Sequence, residues 1–179
     1  MARNPALLNA IIFLSLALIA RSVSAGDESE CVYTIYVRTG SVIKAGTDSK
    51  ISLELWGQKG DGVRITDIQS WGGLMGQNYD YFERGNLDVF SGRGPCLNAP
   101  VCGMRVISDG SGPHHGWYCN YVEVTTTGPH VKCAQQKFDV EQWLKSDSYP
   151  YELSATRNYC PVSLSNQAVV PALRSVASS

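Results

Sequence analysis

The sequence predicts an all-β fold, an antiparallel two-sheet β-sandwich of about eight strands. Three observations carry this prediction. Residues 51–56 alternate strictly, with Ile51, Leu53 and Leu55 on one side and Ser52 and Glu54 on the other, the period of a half-buried strand. Residues 31–38 repeat the pattern, setting Tyr33, Ile35 and Val37 against Thr34, Tyr36 and Arg38. Further along, short strand-like runs are separated by clusters of Gly, Pro and Ser, the punctuation of an antiparallel sandwich.

Met1-Ala2-Arg3-Asn4, the apolar run 6–20 and Val23-Ser24-Ala25 have the basic, apolar and small-residue parts of a secretory signal peptide spanning 1–25. The apolar run is shorter than the roughly 20 residues a spanning helix requires. A short acidic lead, 26–30, precedes a domain expected to cover 31–160. After the first strand comes a loop, then the strand 51–56. The turn Gly57-Gln58-Lys59-Gly60-Asp61-Gly62 leads into a strand at 63–68, making a hairpin. Residues 70–85 are irregular, glycine-rich and aromatic. Strands follow at 87–90, 104–108 and 117–125. Residues 131–144 begin as a strand and are expected to end in a helical turn, and 151–158 supply the last strand. The tail 161–179, rich in Ser, Ala and Val, is expected to be disordered.

All six cysteines lie beyond the proposed cleavage point, in the part that would meet an oxidising lumen. Cys31, Cys96, Cys102, Cys133 and Cys160 are the disulfide candidates, with Cys96 to Cys102 the favoured pair because the loop between them is short. Cys119, between Trp117 and Tyr121, is read as an unpaired core thiol. Zinc is the rival reading for the cysteines, but the gap between Cys96 and Cys102, without a second close pair, is poor zinc spacing. The formal charge is -1, and removal of Arg3 and Arg21 with the leader leaves 13 basic against 16 acidic residues. That excess of acid provides no basic field for nucleic acid and disfavours simple electrostatic capture by anionic lipid.

The loop 39–50 concentrates the functional signal. It carries Val42 and Ile43 at its tip and Asp48 beside hydroxyl and carbonyl oxygens, and a rigid sheet presents it. Grease and acid together point to a membrane surface or a calcium ion. Trp56 shares the polar side of its strand with Ser52 and Glu54, so Trp56 and Tyr36 are candidates for an exposed aromatic face that docks a partner. His114-His115 lies in a turn between Pro113 and Gly116. The sequence has no Gly-x-Ser-x-Gly elbow, no His-Glu-x-x-His helix and no phosphate-cradling glycine loop followed by Lys, so the expectation is a protein without catalysis.

Several pieces, taken in order, resemble one family. They are Tyr33-Thr34-Ile35-Tyr36-Val37 with Thr39-Gly40, the Ala45-Gly46-Thr47-Asp48 loop, and Phe82-Glu83-Arg84-Gly85 followed by Asp88 and Phe90. Trp117 with Tyr121-Val122, and Gln142-Trp143-Leu144, complete the set. In this order they resemble a PLAT domain, the β-sandwich shared by polycystins, lipoxygenases and alpha-toxin. The resemblance reaches from Cys31 to about Leu153. Residues 108–117, Ser-Asp-Gly-Ser-Gly-Pro-His-His-Gly-Trp, are similar to the stand-alone PLAT proteins that plants send into the secretory pathway.

The resemblance implies a metal site and a membrane edge. Calcium would take Asp48 with the backbone of 44–47, then Asp80 and Glu83 of the second loop, while Tyr81 and Gly116 stand where some relatives carry further acids. The bland reading has Asp48 capping a turn and Glu83 pairing locally. Lipid contact would fall on Val42, Ile43, Trp71, Leu74 and Met75, although Trp71, Leu74 and Met75 also have the spacing of one short helix face packed on the sandwich. The resulting expectation is a non-catalytic secretory-pathway module that binds membranes, lipids or membrane-associated proteins, with calcium assistance, and takes part in plant abiotic stress. Its expected location is the endoplasmic reticulum lumen or the apoplast. The alternative is a protein-interaction module that works through its sheet face.

Overall fold

Alternation in the sequence becomes two facing layers in the computed structural model, which describes residues 29–129, 131–161 and 171–177. The proposed signal peptide, residues 26–28, His130, residues 162–170 and residues 178–179 lie outside the described residues. Among the described residues the strands are β1 (Glu30–Thr39), β2 (Ile51–Gly57), β3 (Asp61–Ile65), β4 (Leu87–Pro95), β5 (Val101–Ser108), β6 (Trp117–Gly128), β7 (Val131–Leu144), β8 (Ser154–Asn158) and β9 (Ala172–Val176), with one short helix, α1 (Ile68–Gly72). One sheet has the order β4-β1-β6-β7 and the other β8-β5-β2-β3-β9. Inward residues of the first sheet, including Tyr33, Ile35, Val37, Phe90, Trp117, Val122 and Phe138, meet Leu53, Leu55, Met104 and Val106 of the second in one core. Among the described residues no helix is long and apolar enough to cross a membrane.

Eight of the nine strands fall on segments expected from the sequence. The strand expected at 63–68 stops at Ile65, because Asp67 caps α1 by accepting a hydrogen bond from the Ser70 amide at 3.0 Å. The helical turn expected at the end of 131–144 is strand throughout. A register shift in the β6–β7 ladder between Cys119 and Tyr121, with Glu141 at φ 46, bends the chain there as a bulge. The tail is also corrected: Ala172–Val176 is not disordered but pairs in parallel with β3 at the edge of its sheet.

The cysteines pair differently from the expectation. Cys31 bonds to Cys96 and Cys102 to Cys160, so the favoured Cys96–Cys102 pair is wrong. The reason is topological. Residues 96–100 carry the chain from β4 in one sheet to β5 in the other; Cys96, just past β4, reaches Cys31 on the neighbouring β1, and Cys160, just past β8, reaches Cys102 on the neighbouring β5. Cys133, among the candidates, is a free and exposed thiol, while Cys119 is free and buried. Burial pushes the Cys119 thiol far above its ordinary range, which removes it from thiolate chemistry.

Candidate functional site

Antiparallel strands bring four connections to one end of the sandwich. Loop 40–50 leaves β1, the segment 73–86 enters β4, loop 109–116 joins β5 to β6, and 145–153 leaves β7. Backbone hydrogen bonds lock the first three together. The Gly40 amide donates to the Tyr118 carbonyl at 2.8 Å, the Gly85 amide to the Gly40 carbonyl at 3.0 Å, and the Thr47 amide to the Phe82 carbonyl at 3.2 Å. The Asp48 amide donates to the His114 carbonyl at 3.1 Å, and the Ser49 hydroxyl to the Ser111 carbonyl at 2.7 Å. The rim is thus a built surface and not a set of separate loop tips.

Within it, Asp48, Asp80 and Glu83 each offer a carboxylate oxygen, and these oxygens lie within 4.8 Å of one another. The second loop achieves this by burying its middle. Tyr81 and Phe82 enter the core, Phe82 adopts φ 60, and its amide donates to Asp88 Oδ2 at 2.8 Å. Asp80 and Glu83, on either side, are left pointing outward with Asp48. Burial, with a smaller contribution from the Glu83 charge, raises the Asp88 carboxyl above its ordinary range, while the Phe82 amide and the Tyr79 hydroxyl offset part of that rise. Asp48 is engaged: its Oδ2 accepts from the His114 amide at 3.2 Å and lies 3.0 Å from His114 Nδ1. Lys44, Arg84, His115, Trp143, Lys145 and Asp147 line the same open groove.

The apolar candidates separate. Val42, Ile43 and Leu74 are exposed by 44%, 78% and 58%, whereas Trp71 is only 3% exposed and Met75 is half-buried against the core. Trp71 is therefore removed from the lipid-contact set. It sits on α1 with its ring over Gly92 of β4, so close that a Cβ there would meet ring atoms at 2.5 Å. Only a glycine leaves room for the indole.

The PLAT/LH2 domain family matches residues 33–156, more than half of the chain. The chain belongs to this family. It is 61% identical over 158 residues to PLAT domain-containing protein 2 of Arabidopsis thaliana, covering 86% of each chain. It is 56% identical to PLAT domain-containing protein 1 of the same plant, over 92% of this chain and 90% of that one. Its sandwich also resembles part of coral 8R-lipoxygenase, a protein described as calcium-activated through a C2-like domain. That likeness has a TM-score of 0.50 and 20% identity, and covers 70% of this chain but 16% of the lipoxygenase.

Both disulfides of this PLAT domain join a cysteine outside the matched span, Cys31 or Cys160, to one inside it, so they fasten its two ends. The expected partner face does not form. Tyr36 points outward from β1 and Trp56 outward from β2, and these strands belong to different sheets, so the two rings lie on opposite faces of the sandwich. Two exposed aromatics were not anticipated at the rim. Tyr149, 81% exposed, lies in a polar stretch without strand period, and Tyr151, 66% exposed, falls in the strand predicted at 151–158, which begins only at Ser154. The run Tyr149-Pro150-Tyr151, flanked by Ser148 and Glu152, is the available signal, since Pro bars a regular central strand.

Proposed function

We propose that this PLAT protein is a non-catalytic module of the secretory pathway that docks on membranes or membrane-associated partners through its loop rim, with calcium held by Asp48, Asp80 and Glu83. The convergence of those three carboxylates from two loops carries the reading. One calcium takes oxygens at about 2.3–2.6 Å, so ligand atoms up to about 5 Å apart are within reach of a single ion. Three protein carboxylates would leave roughly half of the six to eight positions to backbone, water or lipid phosphate, a count that supports an affinity of the millimolar class. Bound there, the ion supplies positive charge that offsets the acids facing a phosphate layer. His114 must give up its bond to Asp48 Oδ2 if that oxygen is to serve as a ligand.

With Trp71 withdrawn, Ile43 and Leu74 remain the principal apolar contacts. At roughly 1.5–3 kcal/mol each they contribute about 3–6 kcal/mol, against about 4 kcal/mol or more for lost translational and rotational freedom. Apolar contact at these two positions therefore gives transient association. The non-catalytic reading is supported by the surroundings of the histidines. Among the hydrogen bonds of the described residues, the His114 ring pairs with the Asp48 carboxylate, and the nearby Ser49 hydroxyl donates to the Ser111 and His115 backbone carbonyls and not to an imidazole. The two disulfides fit an oxidising compartment, the reticulum lumen or the apoplast. The abiotic-stress role rests on the family resemblance.

Vesicle flotation of the purified protein, with calcium and with chelator, tests the proposal. Calcium-promoted flotation that is lost in D48N/E83Q is the expected result. Recovery with the soluble fraction under both conditions, on every vesicle composition, would end it.

A further inference from the structure

We propose that Tyr149 and Tyr151 form a further membrane contact of the rim, which settles on the headgroup layer of a zwitterionic, choline-type phospholipid bilayer; this rests on the membrane reading above and adds residues and a lipid class to it. The segment that carries them is fixed to the rim. Leu144, the last residue of β7, pairs with Trp117, the first of β6, so residues 145–153 emerge beside loop 109–116. The Ser108 amide donates to the Leu153 carbonyl at 2.8 Å, and Leu153 lies over Gly110, where a Cβ would stand 3.2 Å from the leucine side chain. Loop 109–116 in turn holds Asp48 and Ser49. The Tyr149–Tyr151 turn is closed by the Tyr151 amide donating to the Ser148 carbonyl at 2.6 Å, with Tyr151 at φ 64, a conformation that bulky residues rarely adopt. The fold thus keeps two phenol rings, 81% and 66% exposed, at the end that also displays Val42, Ile43 and Leu74.

Isolated exposed apolar residues are ordinary on any protein surface. Five on neighbouring loops, separated by charges of both signs, form no flat apolar face for a protein partner, but they suit an interface where each tip inserts separately between headgroups. Tyrosine favours that depth because its ring is apolar and its hydroxyl stays wet. Charge decides the lipid class. Around the tips the acids Asp48, Asp80, Glu83, Asp109, Asp147 and Glu152 outnumber the bases Lys44, Lys50, Arg84 and Lys145. Without calcium this excess repels an anionic surface, and one bound calcium would bring the balance only to neutral, so neither state gives an anionic surface a net attraction. A choline headgroup instead presents a quaternary ammonium to the acids and to the tyrosine faces, and its phosphate to the bases.

The test is co-sedimentation of the purified protein with phosphatidylcholine vesicles and with vesicles containing phosphatidylserine, both with calcium and with chelator. Y149S/Y151S should bind phosphatidylcholine roughly tenfold more weakly than the parent protein, with an unchanged melting temperature, and Y149W/Y151W should restore binding. As a second measurement, bromine-labelled choline lipid should quench the added indole of Y149W. Equal binding by Y149S/Y151S and the parent, or an unquenched Y149W, overturns the tyrosine contact and leaves the membrane reading standing. Binding only to phosphatidylserine vesicles overturns the lipid class. Loss of a protein partner, with lipid binding unchanged, assigns the tyrosines to that partner and also overturns the proposal. A parent protein that binds no vesicle sinks this inference together with the reading beneath it.

Discussion

The carboxylates of Asp48 and Glu83, contributed by two different loops, offer oxygens within 4.8 Å of each other. Two like charges at that separation repel, and a shared cation relieves the repulsion. At a calcium concentration about ten times a millimolar-class dissociation constant, binding to the native state stabilises it by about 1.4 kcal/mol, or roughly 3–6 °C in a domain of this size. Calorimetry should show that rise with calcium and its disappearance in D48N/E83Q. The same variant without calcium should melt no lower than the parent.

Trp71 and Ile43, both candidates for lipid contact, are expected to respond in opposite ways. W71A should lose about 3–5 kcal/mol of stability, since it empties a core site. G92A should lose about 1–3 kcal/mol, since its methyl group collides with the indole at 2.5 Å. I43S, at a position 78% exposed, should stay within about 0.5 kcal/mol of the parent while weakening vesicle binding. Denaturant unfolding alongside co-sedimentation separates the cases. A W71A protein that folds normally but loses lipid contact would restore Trp71 to the membrane edge.

The strands were legible because each has one buried face, and a period of two shows that face directly. Ile51, Leu53 and Leu55 read correctly for this reason. Features that depend on which strands become neighbours were not legible. Cys96 and Cys102 are close in sequence yet serve different sheets, and the sheet order that separates them is set by contacts far along the chain. Ala172–Val176, Ala-Leu-Arg-Ser-Val, looks like tail because it lacks a period-two alternation, and its order comes from the β3 edge it completes. Spacing at Trp71, Leu74 and Met75 suggested one shared face, but α1 ends at Gly72, which puts Trp71 in the core and Leu74 in solvent. The acidic cluster was reached through family resemblance, since no local pattern links Asp48 to Asp80 and Glu83.

Disulfide replacement gives a direct check on the topology. The bridges span separations of 65 and 58 residues, and closing loops of that length removes about 4 kcal/mol of denatured-state entropy in the chain-constraint picture. C31S/C96S and C102S/C160S should each lose an amount of that order. C133S should change stability by less than about 0.5 kcal/mol, since its thiol is exposed and free. Non-reducing peptide mapping should recover the pairs Cys31–Cys96 and Cys102–Cys160, and a peptide linking Cys96 to Cys102 would contradict the sheet assignment.

Asp88 should give the domain a pH dependence opposite to that of a salt-bridged carboxylate. Its side chain is fully buried and accepts the Phe82 amide at 2.8 Å, the bond that turns Asp80 and Glu83 toward solvent. Burial raises its pKa above the ordinary 3.8, with the Glu83 charge adding to the effect. The native state therefore keeps this proton to a higher pH than the unfolded chain does. Across the window from the ordinary value up to the raised one, the folded form binds more protons, so this group's contribution to stability falls as pH rises and then levels off. D88N keeps an acceptor for the Phe82 amide and removes the ionisation. Denaturation midpoints taken in steps from about pH 3.5 to 8 should show the stability of D88N minus that of the parent increasing through that window. A difference that stays constant with pH would mean that Asp88 titrates alike in both states and that its burial carries no ionisation penalty.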